Sequence, residues 1–408
     1  MYHLDPCVIS LKTFQFRLYP TKSQITTLNK TLETLRWVYN ETLAVRKNSW
    51  VQEKKSITYN QTSKLLTQWK KQNTELFKVH SQVLRDPQVR VDIAFQAFFR
   101  RVKAGDKKVG YPRFKGYGRY NSLTFTQYGY NVLNNGIKLT NIGIVKVSMH
   151  RKVEGKIHTI TVKKTTTGKF FVSIVAEIEP KPLTVKDNNI GIDVGLESFA
   201  TLSNGEKIAN PRFYRNEEAA LIKAQRKLSA EKKGSLQWRR RLKVVQRVHE
   251  RIGNKRSNFV HQESRKLVNT YGVIAFENLD VKNMQSNHRL AKSIGDASWN
   301  MFINATKFKA EEAGSKVVLV NPRGTSQKCS NCGLTVKKDL SVRIHKCECG
   351  LVLDRDLNAS INILRLGLQS VGLQPLKPIN LNNGSNHLLQ IKNPFSYSTE
   401  ANTQEKVL

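Results

Sequence analysis

Acidic residues are scarce in this chain. Its 408 residues hold 31 aspartates and glutamates against 68 lysines and arginines, a formal charge of +37. An excess of that size repels itself in a compact state unless a polyanion relieves it. Nucleic acid is the first candidate for that partner and a membrane surface the second. Long apolar runs are missing too. No window approaches ~18 uninterrupted apolar residues, so no membrane-spanning segment is expected. Residues 1–16 lack a basic stretch followed by an apolar run, so no secretory leader is expected, and the expected location is cytoplasmic: a prokaryotic cytosol or nucleoid. Cysteine is sparse, with five in all; Cys7 stands alone and the other four crowd near the C-terminus. In a cytosolic chain such a cluster reads as a metal site and not as disulfides. Apolar residues, by contrast, are not lacking: at 39% they suffice for real cores and exclude global disorder. The length implies two to four domains.

The basic residues are spread along the chain, which suggests long grooves lined with phosphate contacts. Residues 11–19 alternate, with Phe14, Phe16 and Leu18 on one face, and read as a half-buried strand ended by Pro20. Thr21 and Gln24 form a plausible capping box. Ile25, Leu28, Leu32, Leu35 and Tyr39 follow at helical spacing, and Val91, Phe95, Phe98 and Val102 continue the pattern, so 21–104 reads as all-helical with its stripes packed in a core. From 105 the texture changes. Short alternating runs at 136–139, 142–147, 157–163 and 170–177 read as antiparallel strands, which the strand at 11–19 could join in a small β-barrel around the inserted helices. Lys107, Lys108, Tyr111, Arg113, Phe114, Lys115, Tyr117, Arg119 and Tyr120 mix bases with aromatics, as suits a surface that grips phosphates and stacks on bases.

Residues 181–189 look like a linker. Strands are expected at 190–194, 199–203 and 207–209, with Asn204-Gly205 as a hairpin turn between the last two. Two basic helices at 214–231 and 235–268 precede an apolar central strand at 271–276. A helix at 296–313, a strand at 316–320 and a last helix at 357–366 complete the pattern. The tail from about 369 is rich in Asn and Ser, lacks periodicity and reads as poorly ordered.

Three acids stand at the ends of these elements. Asp193 lies in the strand Ile190-Gly191-Ile192-Asp193-Val194-Gly195, Glu277 ends Val273-Ile274-Ala275-Phe276, and Asp356 opens the last helix in Asp354-Arg355-Asp356-Leu357-Asn358-Ala359. An acid in or capping an apolar strand is costly unless something neutralises it. Mg²⁺ is a hard cation that prefers carboxylate oxygen, and two such ions can activate a water and stabilise the leaving oxygen of a phosphodiester. Taken singly, Asp356 is as well explained as a helix N-cap and Glu277 as a salt-bridged strand end. Three in order on a strand–hairpin–strand–helix plan favour the metal reading.

Cys329 and Cys332 are spaced C-x₂-C; Cys347 and Cys349 are spaced C-x-C and followed by Gly350. Four thiolates in two close pairs suit one closed, structural zinc site. The second pair is tighter than usual, and His345 stands as an alternative ligand.

The segments 191–195, Phe276-Glu277-Asn278-Leu279 and 354–359 resemble the three motifs of a RuvC-type nuclease of RNase H fold. With the Cys pairs following Pro322-Arg323-Gly324-Thr325-Ser326-Gln327, with Arg36-Trp37-Val38-Tyr39-Asn40 and with Gly110-Tyr111-Pro112-Arg113-Phe114, residues 11–366 resemble the TnpB family of transposon-encoded RNA-guided nucleases, relatives of the ancestors of type V CRISPR effectors. The resemblance implies a multidomain α+β chain. It has a wedge-like β-barrel (1–20 and 105–185), a helical recognition insert (21–104), a RuvC-like nuclease (186–325 and 351–368) and a zinc ribbon (326–350), with 369–408 as tail. It implies Asp193, Glu277 and Asp356 as catalytic, holding Mg²⁺. It disfavours Asp354, because the family pattern is Asp-x-Asn-Ala. It implies a guide RNA derived from the transposon end, double-stranded target DNA as substrate, and nucleic-acid contacts among Arg36, Tyr39, Lys107, Lys108, Tyr111, Arg113, Lys115 and Arg119. Two other readings stay open: a non-catalytic DNA/RNA-binding accessory factor of transposition, and a guide-independent junction resolvase, which the helical insert and ribbon fit poorly.

Overall fold

The structure is a computed structural model that describes residues 10–179, 186–339 and 341–374. The chain forms two compact units that part between residues 179 and 180.

The first unit begins with β1 (Ser10–Tyr19), continues through helices α1 (Lys22–Glu53), α2 (Tyr59–Gln72), a short 3-10 turn and α3 (Ser81–Lys103), and returns to strand in β2 (Ser122–Phe125), β3 (Tyr130–Leu133), β4 (Gly136–Leu139), β5 (Gly143–Ser148), β6 (Lys156–Lys164) and β7 (Phe170–Ile178). These strands make one antiparallel sheet in the order β2-β6-β7-β1-β5-β4-β3. The strand that precedes the helices is therefore central in a sheet built mostly from strands that follow them. Its alternation works as expected: Phe14, Phe16 and Leu18 are buried and stand opposite Ile174, Val172 and Phe170 of β7. The edge strands β2 and β3 approach through Phe125 and Tyr130, ring centroids 6.4 Å apart, which brings the sheet close to a barrel. The Thr21 capping box forms: Oγ1 accepts from the Gln24 amide at 3.3 Å and the Gln24 side chain accepts from the Thr21 amide at 3.0 Å. The stripe on α3 is shorter than expected. Val91 and Phe95 are buried, but Val102 is 51% exposed, because the core ends a turn before the helix does.

The second unit opens with β8 (Asn189–Val194), β9 (Ser198–Leu202) and β10 (Lys207–Ala209), an antiparallel meander. Helices α4 (Phe213–Ser229) and α5 (Leu236–Thr270) lead to β11 (Val273–Glu277). Then α6 (Val281–Met284), α7 (His288–Ala297) and α8 (Trp299–Ala313) precede β12 (Lys316–Val320). The sheet order is β10-β9-β8-β11-β12, with β11 parallel to both neighbours. β13 (Ile344–Lys346) and β14 (Val352–Asp354) form a separate hairpin that runs directly into α9 (Arg355–Ser370). β11 is buried on both faces, which is why it reads as a continuous apolar run. Ile274 and Phe276 pack with residues of α5 and α8, whereas Val273 and Ala275 pack with Leu364, Leu368 and Ile363 of α9. This order and layering carry the RNase H-like expectation.

Four details depart from the sequence reading. β2 and β3 were not expected. The helix expected at 296–313 starts at Trp299, and α7 (His288–Ala297) before it was not expected; the two meet at Ser298, whose φ of 58° lies in the left-handed region. The last helix starts at Arg355 and runs to Ser370, so 369 does not begin a tail; Val371 still packs against the Val273 cluster. The hairpin of the cysteine segment is closed by β14, which runs to Asp354, past the ribbon bound of 350 expected from the sequence. The tail from 375, most of the linker and Cys7 lie outside the described residues. No helix among the described residues is long and apolar enough to cross a membrane.

Candidate active site and metal centre

Asp193 and Glu277 sit at the C-terminal ends of the adjacent parallel strands β8 and β11, where Ile192 stands in register with Phe276. The ends of parallel strands are where open α/β sheets present their sites. Asp356 is the second residue of α9, which packs on this same sheet. The packing is close because Gly191 and Gly367 carry no side chain: a Cβ on Gly191 would fall 2.1 Å from the Ser360 carbonyl oxygen, and one on Gly367 would fall 2.5 Å from the Ala275 Cβ.

The electrostatics of the three acids are linked. Burial pushes the Asp193 carboxyl well above the usual carboxylate range, and the charges of Glu277, Asp356 and Asp354 push it further against the opposing pull of Arg355. Burial raises Glu277, opposed by a hydrogen bond from Thr325. Burial also raises Asp356, with Asp354 adding to it and Arg343, Arg355 and Lys207 opposing. Asp354 goes the other way. Burial would raise it, but the Lys207 ammonium at 2.9 Å and the amides of Asp356 and Leu357, at 2.9 and 3.1 Å, hold it below its ordinary value. Asp354 is thus the N-cap of α9, not Asp356, which separates the two acids that the sequence left in competition for one role.

The four cysteines converge. Among the described residues they are the one group of three or more His, Cys, Asp or Glu ligands whose donor atoms lie within 4.8 Å of one another. The Cys329–Cys349 sulfurs are 3.6 Å apart and those of Cys332–Cys347 3.5 Å. A disulfide would need about 2.05 Å, whereas four thiolates at tetrahedral zinc–sulfur bonds of about 2.3 Å stand about 3.8 Å apart. The donor set and spacing suit a metal such as zinc. His345 is not in the group. It is fully buried on β13, with Nδ1 2.6 Å from the Lys338 ammonium, and burial followed by that charge lowers its pKa, keeping it neutral.

The basic and aromatic candidates of the first unit separate by exposure. Lys107, Lys108, Arg113 and Arg119 are exposed, and Tyr111 stands edge-on to Phe95 and Phe98 with its outer edge in solvent. Tyr39 must be withdrawn: it is 5% exposed, packed against Tyr120 in the core. Arg36 pairs with Glu33 at 2.6 Å and donates to the Lys115 carbonyl, so its side chain holds the segment that carries Lys115. Asn40 reinforces this by bonding both main-chain groups of Lys115, at 3.0 and 2.8 Å. Tyr117 is the most exposed large aromatic of this segment, at 85%, with the Arg36 guanidinium 6.0 Å from its ring centroid; Phe114, beside Lys47, is also exposed.

Sequence reasoning missed Thr325, whose hydroxyl donates to Glu277, and Lys207, which takes Asp354. It also missed Asn362, which bonds the carbonyls of Thr325 and Lys328 at 2.9 and 2.7 Å. Only a buried threonine before the first cysteine pair and asparagines one helical turn apart on α9 hinted at them.

A family model described as probable transposase, OrfB of IS605, matches residues 173–288. One described as the Cas12f1-like TNB domain matches 299–363, and one described as a helix-turn-helix domain matches 10–55. Residues 10–55 here are a strand followed by one uninterrupted helix. A Streptomyces pristinaespiralis protein with the provisional name RNA-guided DNA endonuclease is 35% identical over 88% of this chain and 89% of its own length. Escherichia coli K12 InsQ, of the same provisional name, is 28% identical over 88% and 92%. Among solved structures, the chain of a Cas12f1–sgRNA–target DNA complex matches with TM-score 0.56 at 14% identity, over 87% of this chain and 98% of that one, a likeness of fold. The chain belongs to the TnpB family, the OrfB proteins of IS605.

Proposed function

We propose that this protein is an RNA-guided DNA endonuclease that hydrolyses target DNA at Asp193, Glu277 and Asp356 with Mg²⁺ as cofactor. The observation that carries this reading is the placement of Asp193 and Glu277 at adjacent strand ends under the helix that brings Asp356. Burial first, and then the charges of the neighbouring acids, push Asp193 above the usual carboxylate range. Two neighbouring acids are no natural surroundings for a buried carboxyl unless a cation relieves them. Of the bases that pull against these acids, Lys207 is bonded to Asp354 and Arg343 to Glu197 at 3.3 Å, while Arg355 opposes the shift of Asp193. Three oxygen-donor acids fit a hard divalent ion. Such a cofactor supplies activation of water and stabilisation of the leaving phosphodiester oxygen. The chain's own part is to hold the carboxylates on two strand ends and one helix, and to present Asp356 free of the capping duty that Asp354 performs.

The guide is a transposon-end RNA on this reading. Its pairing selects the target while the protein grips backbones and reads a short flanking motif. Zinc in the cysteine quartet is structural, because all four positions are filled by protein sulfur. On this reading the domains follow the sequence bounds, with the ribbon carried to Asp354, the nuclease split around it and its last helix carried to Ser370. The exposed bases and aromatics at 107–119, joined by Phe114 and Tyr117, form part of the grip.

The test is a cleavage assay beside a gel shift, on full-length protein with its co-purifying RNA. Asp193→Ala should bind the guided target as well as the parent does. Its cleavage should fall by more than ~100-fold, the upper range for losing even an outer partner of a metal site. Zinc content of the same preparation should be about one per chain. Undiminished cutting by Asp193→Ala would refute the site, and loss of binding together with cutting would make Asp193 a structural residue.

A further inference from the structure

Glu277 does not choose its own orientation. The Thr325 hydroxyl donates to Glu277 Oε1, and both side chains are buried. Thr325 lies in the turn that leaves β12, opened by Gly324 at φ 79° and closed by the Gln327 and Lys328 amides on the Gly324 carbonyl, at 3.0 and 2.9 Å.

That turn is gripped from outside by α9. Asn362 Nδ2 donates to the Thr325 carbonyl at 2.9 Å and to the Lys328 carbonyl at 2.7 Å; Asn358 Nδ2 also donates to Lys328, at 2.8 Å. Asn358 Oδ1 accepts from the Ser330 amide at 2.9 Å, and Arg365 donates to the Ser330 carbonyl at 2.6 Å. Cys329, the first sulfur of the quartet, is therefore bracketed on both sides by α9. The helix that brings Asp356 also fixes the loop whose two ends are the hydroxyl on Glu277 and the first cysteine.

We infer that Thr325 is a positioning residue for Glu277, and that the asparagine clamp on its loop makes the cysteine ribbon and the carboxylate site one preorganised unit. The inference rests on the reading of the carboxylates as a metal site. The chemistry is that of an outer partner. A hydroxyl that occupies one carboxylate oxygen fixes the plane of the group and leaves the second oxygen to a cation, so less orientational freedom is lost on binding. A buried threonine that merely satisfied a buried acid would stabilise the fold and leave cation affinity alone. Those two roles separate in experiment.

The probe is Fe²⁺ with ascorbate and peroxide, which cuts polypeptide backbone beside a bound iron, applied to full-length protein with its co-purifying RNA. Fragments ending near residues 193, 277 and 356 are quantified against iron concentration and against competing Mg²⁺. The parent and Thr325→Ser, which keeps the hydroxyl, should give these fragments at the same iron concentration. Thr325→Val, nearly the same shape without the hydroxyl, should need ~10-fold more or beyond, as loss of an outer partner typically demands. All three should retain their zinc. Thr325→Val that is cut like the parent overturns the inference while leaving the carboxylate site in place. A parent that yields no such fragments overturns the site itself, and the inference with it. Should Thr325→Val lose its fold, Thr325→Ala takes its place as the variant without the hydroxyl: a need for more iron in alanine that serine does not show supports the hydroxyl, and equal behaviour of alanine, serine and parent rejects it.

Discussion

Single residues in this protein are set by partners far away in sequence, and Lys309 on α8 shows how that governs its stability. Its ammonium is almost wholly buried, bonded to the His261 carbonyl and, at 2.7 Å, to Ser264 Oγ on α5. Burial, with Arg265 adding to it and Glu312 opposing, lowers its pKa to about 8. An amine with a folded pKa below its unfolded value of about 10.4 releases its proton more readily in the folded state. Between pH 8 and about 10.4 the unfolded chain binds the extra proton, so this group makes stability rise with pH across that window and adds no slope below it. Denaturation midpoints across pH 7.5–10.5 should show the rise, and Lys309→Met should flatten it. A slope unchanged by the substitution would mean that the ammonium is solvated. Tyr39 teaches the opposite lesson. Its place beside Arg36 and Trp37 made it look like a base-stacking candidate, but its helical spacing from Leu28, Leu32 and Leu35 was the stronger signal and put it in the core.

At the scale of elements, much was legible. β1 could be read from alternation, α1 from its capping box, the β9–β10 hairpin from Asn204-Gly205, and β11 from its apolar run ending in an acid. The positions of Asp193 and Glu277 were legible for the same reason, since an acid at the end of a buried strand stands out. What escaped needed the third dimension. β2 and β3 are four residues each, too short for a period to register. Thr325 acquires its partner only because the chain returns to Glu277 after 48 residues. Apart from the resemblance, Asp354 and Asp356 look alike in sequence, and the helix start shows which of them is the cap. The contact of α9 with the sheet was also invisible, and it yields a test. Gly191→Ala would press a methyl group into the backbone of α9, 2.1 Å from the Ser360 oxygen and 2.5 Å from the Leu364 nitrogen. Overpacking of this kind costs about 1–3 kcal/mol or more, roughly a 5 °C fall in melting temperature for a unit of this size. It should also depress cleavage, because α9 carries Asp356. Gly253→Ala on exposed α5, where an added Cβ meets nothing within 4 Å, is the control. It should be neutral or stabilise by about 0.5–1 kcal/mol. Equal melting temperatures for the two variants would show that α9 is not seated on Gly191.

At the scale of the whole molecule, charge decides how the protein behaves. Even if every acid took a base as partner, 37 positive charges would remain unmatched. Some of the ion pairs that do form are exposed, such as Lys78–Glu75, and exposed pairs add little because water and salt screen them. They do little to offset the self-repulsion, so relief must come from a polyanion. Binding of nucleic acid should then be driven largely by release of the counterions condensed on phosphates. If roughly six to ten of the 68 bases meet phosphates, affinity should fall roughly 10³–10⁵-fold between about 50 and 200 mM salt. The carboxylates work against this term, so Asp193→Ala should leave the salt slope unchanged. Charge reversal at exposed Lys107 and Lys108, by contrast, should make the slope shallower by about two phosphate equivalents, near 0.9 each for duplex. Filter-binding isotherms at four or five salt concentrations measure both slopes on one preparation. A parental slope close to zero would mean that the positive charge serves something other than phosphate. An unaltered slope in the Lys107 and Lys108 reversal would remove the 107–119 segment from the nucleic-acid interface.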